Sequence, residues 1–306
     1  MKKAQGKVNS LGKLKKSALL LMFLILISPV TVLAGGVPCY TPGLRTIKNF
    51  LSAAMQPVGS TCYIWGGGWS QNNGKASATA KHIGVCPQWK NFFDAQDSSY
   101  DFNHHRIHAK NGSKPPDPQK VSLGLDCGGF VGWVLYNTFH TRSGEGKGYV
   151  FAGKRRIKHF VKKKWGSAVK PKKIKNYKAG DILVFHGEHV YISIGERSDG
   201  SVVLVHASAP GVLICGTVSR SADEKSEAVA LAAEYMGRYY VEYDKKFSGL
   251  GYMRNGDYLS KYTQLRWHIN GVMADPENYA NMNPEQVLKD LFSEKAEEVE
   301  VQGGYD

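Results

Sequence analysis

Cys127, His189 and His206 are the residues whose types and surroundings could do chemistry in this sequence. In "GLDCGGFVGW", residues 124–133, Cys127 follows an acid and precedes two glycines and an apolar segment. A thiol becomes a good nucleophile when its thiolate is stabilised, and the unpaired amides and dipole at a helix N-terminus do this. Asp126 stands where it could cap such a helix, while Gly128 and Gly129 leave room for a substrate to approach along the backbone. The string alone leaves Cys127 as a buried structural thiol, half of a disulfide or a nucleophile, and favours the first, since cysteine is among the most buried residue types. A nucleophilic cysteine also needs a base within hydrogen-bond reach and a third group to orient the base. His189 in "HVYISIG" and His206 in "LVHAS" lie in strand patterns. Adjacent strands would bring them side by side, facing the start of the helix. His186, three residues before His189, is a rival base: a continuous strand would put the two on opposite faces, but Gly187 favours a turn, which removes that distinction.

The elements that must position these residues are legible in outline. Apolar residues recur at helical spacing over "LRTIKNFLSAAM", residues 44–55, with Thr41 and Pro42 as start signals, and a helix also fits Gly128–Phe139. "CYIWGGGWS", residues 62–70, is an aromatic turn rich in glycine. Residues 71–122 are polar and dense in turn signals, too long for an ordinary connection, and read as an insertion that shapes a binding groove. Over residues 179–218 the period changes to two, which predicts three or four short antiparallel strands. Helix first and strands afterwards predict an α+β domain over residues 35–218. Residues 219–306 read as a mainly helical C-terminal extension with an acidic, fraying tail; its tyrosines Tyr235, Tyr239, Tyr240 and Tyr243 read as a packing stripe.

Residues 1–34 read as a secretion signal: six lysines precede the apolar core "ALLLMFLILI", which stops at Ser28 and Pro29, and "VLA" ends at Ala34. No other segment is long and apolar enough to span a membrane, and no stable transmembrane anchor is expected. Residues 35–216 carry 24 Lys and Arg against 10 Asp and Glu, whereas residues 217–306 carry 10 against 16. The positive excess concentrates in residues 154–178, with 12 basic residues and no acid. For an exported protein this points to anionic wall polymers or lipid headgroups rather than nucleic acid. An odd number of cysteines in an oxidising compartment leaves at least one thiol free. If that thiol is Cys127, then Cys39, Cys62, Cys86 and Cys215 allow three pairings, or all four are reduced. "HHRIH", with His104, His105 and His108, has metal-ligand spacing but no cluster to complete a zinc site, so no metal or other cofactor is expected.

The strings "YIWGG", "LDCGGFVGW", "AGDILVF", "HVYISIG" and "VHASAPGV" occur in an order and spacing that resemble NlpC-type cell-wall cysteine peptidases, the NlpC and p-sixty superfamily, over roughly residues 42–218. The resemblance implies a papain-like core in which a helix carrying the nucleophile packs on a small antiparallel sheet carrying the histidines. It implies Cys127 as nucleophile, His189 as base and His206 as the group orienting that base. It also implies that Tyr63 helps hold substrate or oxyanion, that Asp126 recognises a free amino group of the substrate, and that the Cys127 amide joins an oxyanion hole. Three departures bear on substrate preference: Gly128 replaces the serine common in such enzymes, Tyr191 stands where glycine is common, and the segment from Trp69 to Gly124 is unusually long. The implied activity is that of a secreted or wall-associated endopeptidase acting on peptidoglycan stem peptides at the γ-D-glutamyl–diamino acid bond. A peptidoglycan amidase of the cysteine, histidine-dependent type and a non-catalytic wall-binding protein are the rivals.

Overall fold

A computed structural model describes residues 36–69, 76–102, 122–140, 153–247 and 251–293. The proposed secretion signal, the "HHRIH" histidines and the acidic tail lie outside these residues. Among the described residues no helix is long and apolar enough to cross a membrane.

The fold is α+β. Helix α1 (Ile47–Met55) begins at Thr46, whose hydroxyl accepts from the Asn49 amide. Helix α2 (Pro87–Asp94) is followed by α3 (Cys127–Phe139) and α4 (Gly153–Lys162). Strands β1 (Gly166–Val169), β2 (Ile182–Phe185), β3 (His189–Glu196), β4 (Val202–Ser208) and β5 (Gly211–Thr217) come next. The chain continues through α5 (Glu227–Tyr239), α6 (Val241–Phe247), β6 (Met253–Arg254), α7 (Asp257–Ser260), β7 (Thr263–Trp267) and α8 (Pro284–Leu291). Every residue of α3 except Cys127 is buried. A helix apolar on all sides belongs inside a protein, and α3 packs between α1 and strands β3 and β4.

The sheet is larger than the small antiparallel one expected. It has seven strands in the order β1-β7-β2-β3-β4-β5-β6, antiparallel throughout except for the parallel edge pair β5–β6. The four strands from Ile182 to Thr217 fall within the expected segment 179–218, buried along nearly their whole length rather than on alternate residues, whereas the other three lie outside it. The C-terminal segment is helical in α5–α8, but it also inserts β7 between β1 and β2 and adds β6 at the far edge. Strand β7 hides because buried Gln264 interrupts its apolar pattern; the Gln264 amide donates to the Asn176 carbonyl at 2.8 Å and to Asp181 Oδ2 at 2.9 Å.

The expected long loop of the insertion is likewise more ordered where it is described. Helix α2 puts Trp89 and Phe93 into the main core, with Trp89 edge-on to Trp133 at 5.8 Å and Phe93 stacked on Tyr243 at 6.2 Å. Two aromatics four residues apart give α2 a single apolar face in an otherwise polar stretch. Tyr235, Tyr240 and Tyr243 are buried, as a packing stripe requires. All five cysteines are unpaired, with Cys62, Cys86 and Cys215 buried and Cys39 exposed.

One polar contact ties the C-terminal segment to the centre of the sheet. Asp181, buried just ahead of β2, accepts from Arg266 Nε at 2.9 Å and Nη2 at 2.6 Å, and from the Lys178 amide at 2.8 Å. Burial raises the Asp181 carboxyl above its ordinary range, against the pull of Arg266. Removing one partner of a buried pair leaves an uncompensated charge, which costs about 3–5 kcal/mol. Arg266→Leu is therefore expected to lower unfolding free energy by about 3 kcal/mol in urea titrations at pH 8. The loss should shrink at pH 5, because without Arg266 the carboxyl pKa rises further and the buried group takes up a proton on acidification. An equal loss at both pH values would show that Asp181 is not the source.

Candidate active site

Cys127 is the first residue of α3, and the backbone around it is fixed by contacts that only glycine permits. A Cβ at Gly129 would lie 2.1 Å from the Gly67 carbonyl oxygen, and one at Gly124 would lie 2.3 Å from the Cys62 carbonyl oxygen. The turn over residues 65–69 includes Gly68 at φ +87°, a conformation that side chains other than glycine's rarely adopt. Backbone then bonds backbone: the Asp126 amide donates to the Gly67 carbonyl at 3.0 Å, and the Ile64 amide to the Leu125 carbonyl at 3.1 Å. Asp126 caps α3 by accepting from the Gly129 amide at 2.6 Å. Such a cap contributes about 1 kcal/mol to the helix.

The histidines meet on adjacent strands. His189 at the start of β3 and His206 in β4 are joined Nε2 to Nδ1 at 2.7 Å, ring planes nearly perpendicular. Cys127 and His189 line one cavity of about 260 Å³ together with Tyr63, Asp126, Gly128 and Arg156. Trp65 and Trp69 form part of its wall. His206 is completely buried behind His189. The rival His186 is exposed in the β2–β3 turn and lies outside the cavity lining. Cys127 Sγ is 4.0 Å from the Glu188 carbonyl oxygen, and no hydrogen bond joins it to either histidine. Catalytic hydrogen bonds are often long in an empty site and tighten around substrate.

Burial sets the resting charges. It pushes the Cys127 thiol up to about 12, with Asp126 adding to the rise, and His189 down to about 3, with Arg254 adding to the fall. Both groups are therefore neutral at rest. Asp126 is pushed up to about 7 by burial, against hydrogen bonds from the Gly129 amide and the Trp69 side chain and the charge of Arg156. Its carboxyl changes charge near neutral pH. Among the described residues no group of histidines, cysteines and carboxylates could hold a metal ion.

Two residues beside the site, Arg156 and Tyr258, carry no sequence signal. Arg156, on α4 within the basic run, is fully buried; its Nη2 donates to the Gly128 carbonyl at 3.0 Å and its Nε has no partner. It thus holds a positive charge beside the first turn of α3. Tyr258 in α7 lies against both histidines, with ring centroids 5.6 Å from His189 and 6.0 Å from His206. Tyr191 is not in the cavity lining; it is buried, stacks on Tyr258 at 5.4 Å and donates to its carbonyl at 2.9 Å.

The absent side chain at Gly128 also has a physical reason. A Cβ there would come within 2.9 Å of Trp69 Cζ2, so the indole occupies the space that a serine would need. Gly128→Ser is expected to cost about 1–3 kcal/mol through overpacking, read as a lower thermal midpoint. Trp69→Ala in the same chain should recover part of that loss. A Gly128→Ser protein as stable as the parent would show that the indole yields freely.

No family model, no curated protein and no solved structure matches this chain.

Proposed function

We propose that this chain is an exported cysteine endopeptidase that hydrolyses amide bonds in peptidoglycan stem peptides, at the bond between γ-D-glutamate and the following diamino acid. The observation that carries the proposal is the joint placement of Cys127, at a helix N-terminus, and His189 on one cavity, with His206 bonded to His189 at 2.7 Å from behind. In this account α3 against β3 and β4 corresponds to the helix-on-sheet core of a papain-like peptidase, and His206 orients the base.

The chemistry follows from the resting charges. With thiol and imidazole both neutral, proton transfer from Cys127 to His189 accompanies attack on the substrate carbonyl. The new C–S bond forms as the carbonyl oxygen gains charge, which the Cys127 backbone amide at the start of α3 stabilises. His189 returns the proton to the leaving amine as the C–N bond breaks, and water then hydrolyses the thioester. Tyr63 and Asp126 line the same cavity, where Asp126 as an anion would attract a free amino group of the substrate. No step requires a metal or cofactor.

The basic stretch 154–178 supplies affinity for anionic wall polymers in this account. Lys154, Arg155, Lys158 and Lys162 along α4, and Lys163 just after it, are exposed and form no ion pair with any described residue. Gly153 and Arg156 at the start of the same helix line the cavity, so the charged face leads up to it. Such attraction weakens with salt.

Residues 35–306 incubated with defined muropeptides should release fragments whose masses correspond to cleavage after γ-D-glutamate, and Cys127→Ala should release none. Equal product from both proteins would overturn the assignment of Cys127. Cleavage between sugar and peptide would identify an amidase instead.

A further inference from the structure

His206 is held from behind as well as from the front. Arg254, in edge strand β6, points Nε and Nη2 at His206 Nε2, at 3.2 Å and 3.1 Å. Cys215 Sγ in β5 lies 3.3 Å from the same nitrogen, and Tyr258 packs against the ring. Arg254 is half-buried and has no carboxylate within ion-pair distance among the described residues; besides His206, its guanidinium hydrogen-bonds the Cys215 thiol, and its Nη1 donates to the Met253 carbonyl at 3.0 Å.

A guanidinium can only donate hydrogen bonds and stays protonated in proteins. His206 Nε2 must then present its lone pair to Arg254, and the single proton of neutral His206 sits on Nδ1. That proton is donated across the 2.7 Å contact to His189 Nε2. Neutral His189 consequently carries its own proton on Nδ1, the ring nitrogen that His206 leaves for Cys127. We propose that Arg254 is a positioning residue that locks the histidine pair in the tautomer that offers Cys127 an N–H rather than a lone pair.

This inference rests on the proposed roles of Cys127 and His189, and it adds a condition to them. For His189 to accept the thiol proton, its Nδ1 proton must first pass to water and a proton from water must be taken up at His206 Nε2. The proton between the rings shifts from His206 Nδ1 to His189 Nε2. The exchange is neutral overall, but it sets the new Nε2–H against the two N–H groups of Arg254. Arg254 must turn aside for it to persist, leaving Cys215 Sγ as the acceptor for Nε2–H. The groups facing His206 that set the balance are Arg254, Cys215, His189 and Tyr258.

Nitrogen-15 spectra of the full chain, labelled at histidine and assigned with a His206→Asn variant, read the tautomer directly. The parent protein should show His206 with an attached proton on Nδ1 and none on Nε2. Arg254→Gln, whose amide can donate or accept, should populate the Nε2–H form and speed alkylation of Cys127 by iodoacetamide at pH 7 by about tenfold, the effect of one pKa unit. Arg254→Lys, which keeps a donor and the charge, should keep the parent tautomer and rate. A parent spectrum with Nε2 protonated, or a tautomer unchanged in Arg254→Gln, would overturn the lock. Backbone amide spectra identify a Gln variant that has failed to fold, and the Lys variant then decides: loss of the Nδ1–H form in it overturns the lock, and retention supports it. The tautomer is read without any wall peptide, so failure of the peptidase function would leave this result standing, and failure of the lock would leave hydrolysis to be measured on its own.

Discussion

The site depends on one contact of backbone against backbone, where the glycine turn at residues 66–68 meets the N-terminus of α3. With no side chains between them, the Gly67 carbonyl can lie over Gly129 and accept from the Asp126 amide at 3.0 Å. That contact fixes where α3 begins, and with it the direction of Cys127. It also brings Trp65 and Trp69 over the start of the helix and leaves Gly128 no room for a side chain. The turn and the cysteine string, some 60 residues apart in sequence, form one structural unit. Folding cost and chemical placement are therefore coupled: a residue that opened this contact would cost stability and move the thiol.

Around that unit the protein concentrates positive charge at short range, while burial raises the Cys127 thiol pKa and lowers that of His189. Arg156 sits beneath the first turn of α3, and Arg254 sits behind His206. Neither has a carboxylate partner among the described residues. Arg156 is buried and lines the cavity that holds Cys127, whereas Arg254 is half-buried behind His206 and lies outside that lining. Their charge opposes protonation of the histidines and favours negative charge on Cys127, and burial opposes both ionisations.

Much of this was legible in the residues. The helix at Cys127, the strand pair carrying His189 and His206, and the cap at Asp126 follow from periodicity, turn chemistry and the short polar side chain ahead of an apolar run. His186 remained a rival base in the residues alone, and its exposure in the β2–β3 turn, outside the cavity lining, is what sets it aside. Strand β7 was hidden because Gln264 stands at a buried position, satisfied by Asn176 and Asp181, which are more than 80 residues away. Helix α2 was hidden by the turn-rich composition around it, its only signal being Trp89 and Phe93 at helical spacing. Arg156 could not be told from its basic neighbours, since only its burial under α3 distinguishes it. Arg254 and Tyr258 reach the histidines through tertiary placement of the C-terminal segment, for which no local pattern exists.

The central claim is that Cys127 forms and breaks a covalent bond with a stem-peptide carbonyl. It is tested most directly by acid-quenching the protein during turnover of a muropeptide and measuring its intact mass and the modified peptide. A thioester adduct on Cys127, with the mass of the amino-terminal part of the stem, is the predicted result. Continued product formation after complete alkylation of Cys127, with no adduct on that residue, would contradict it.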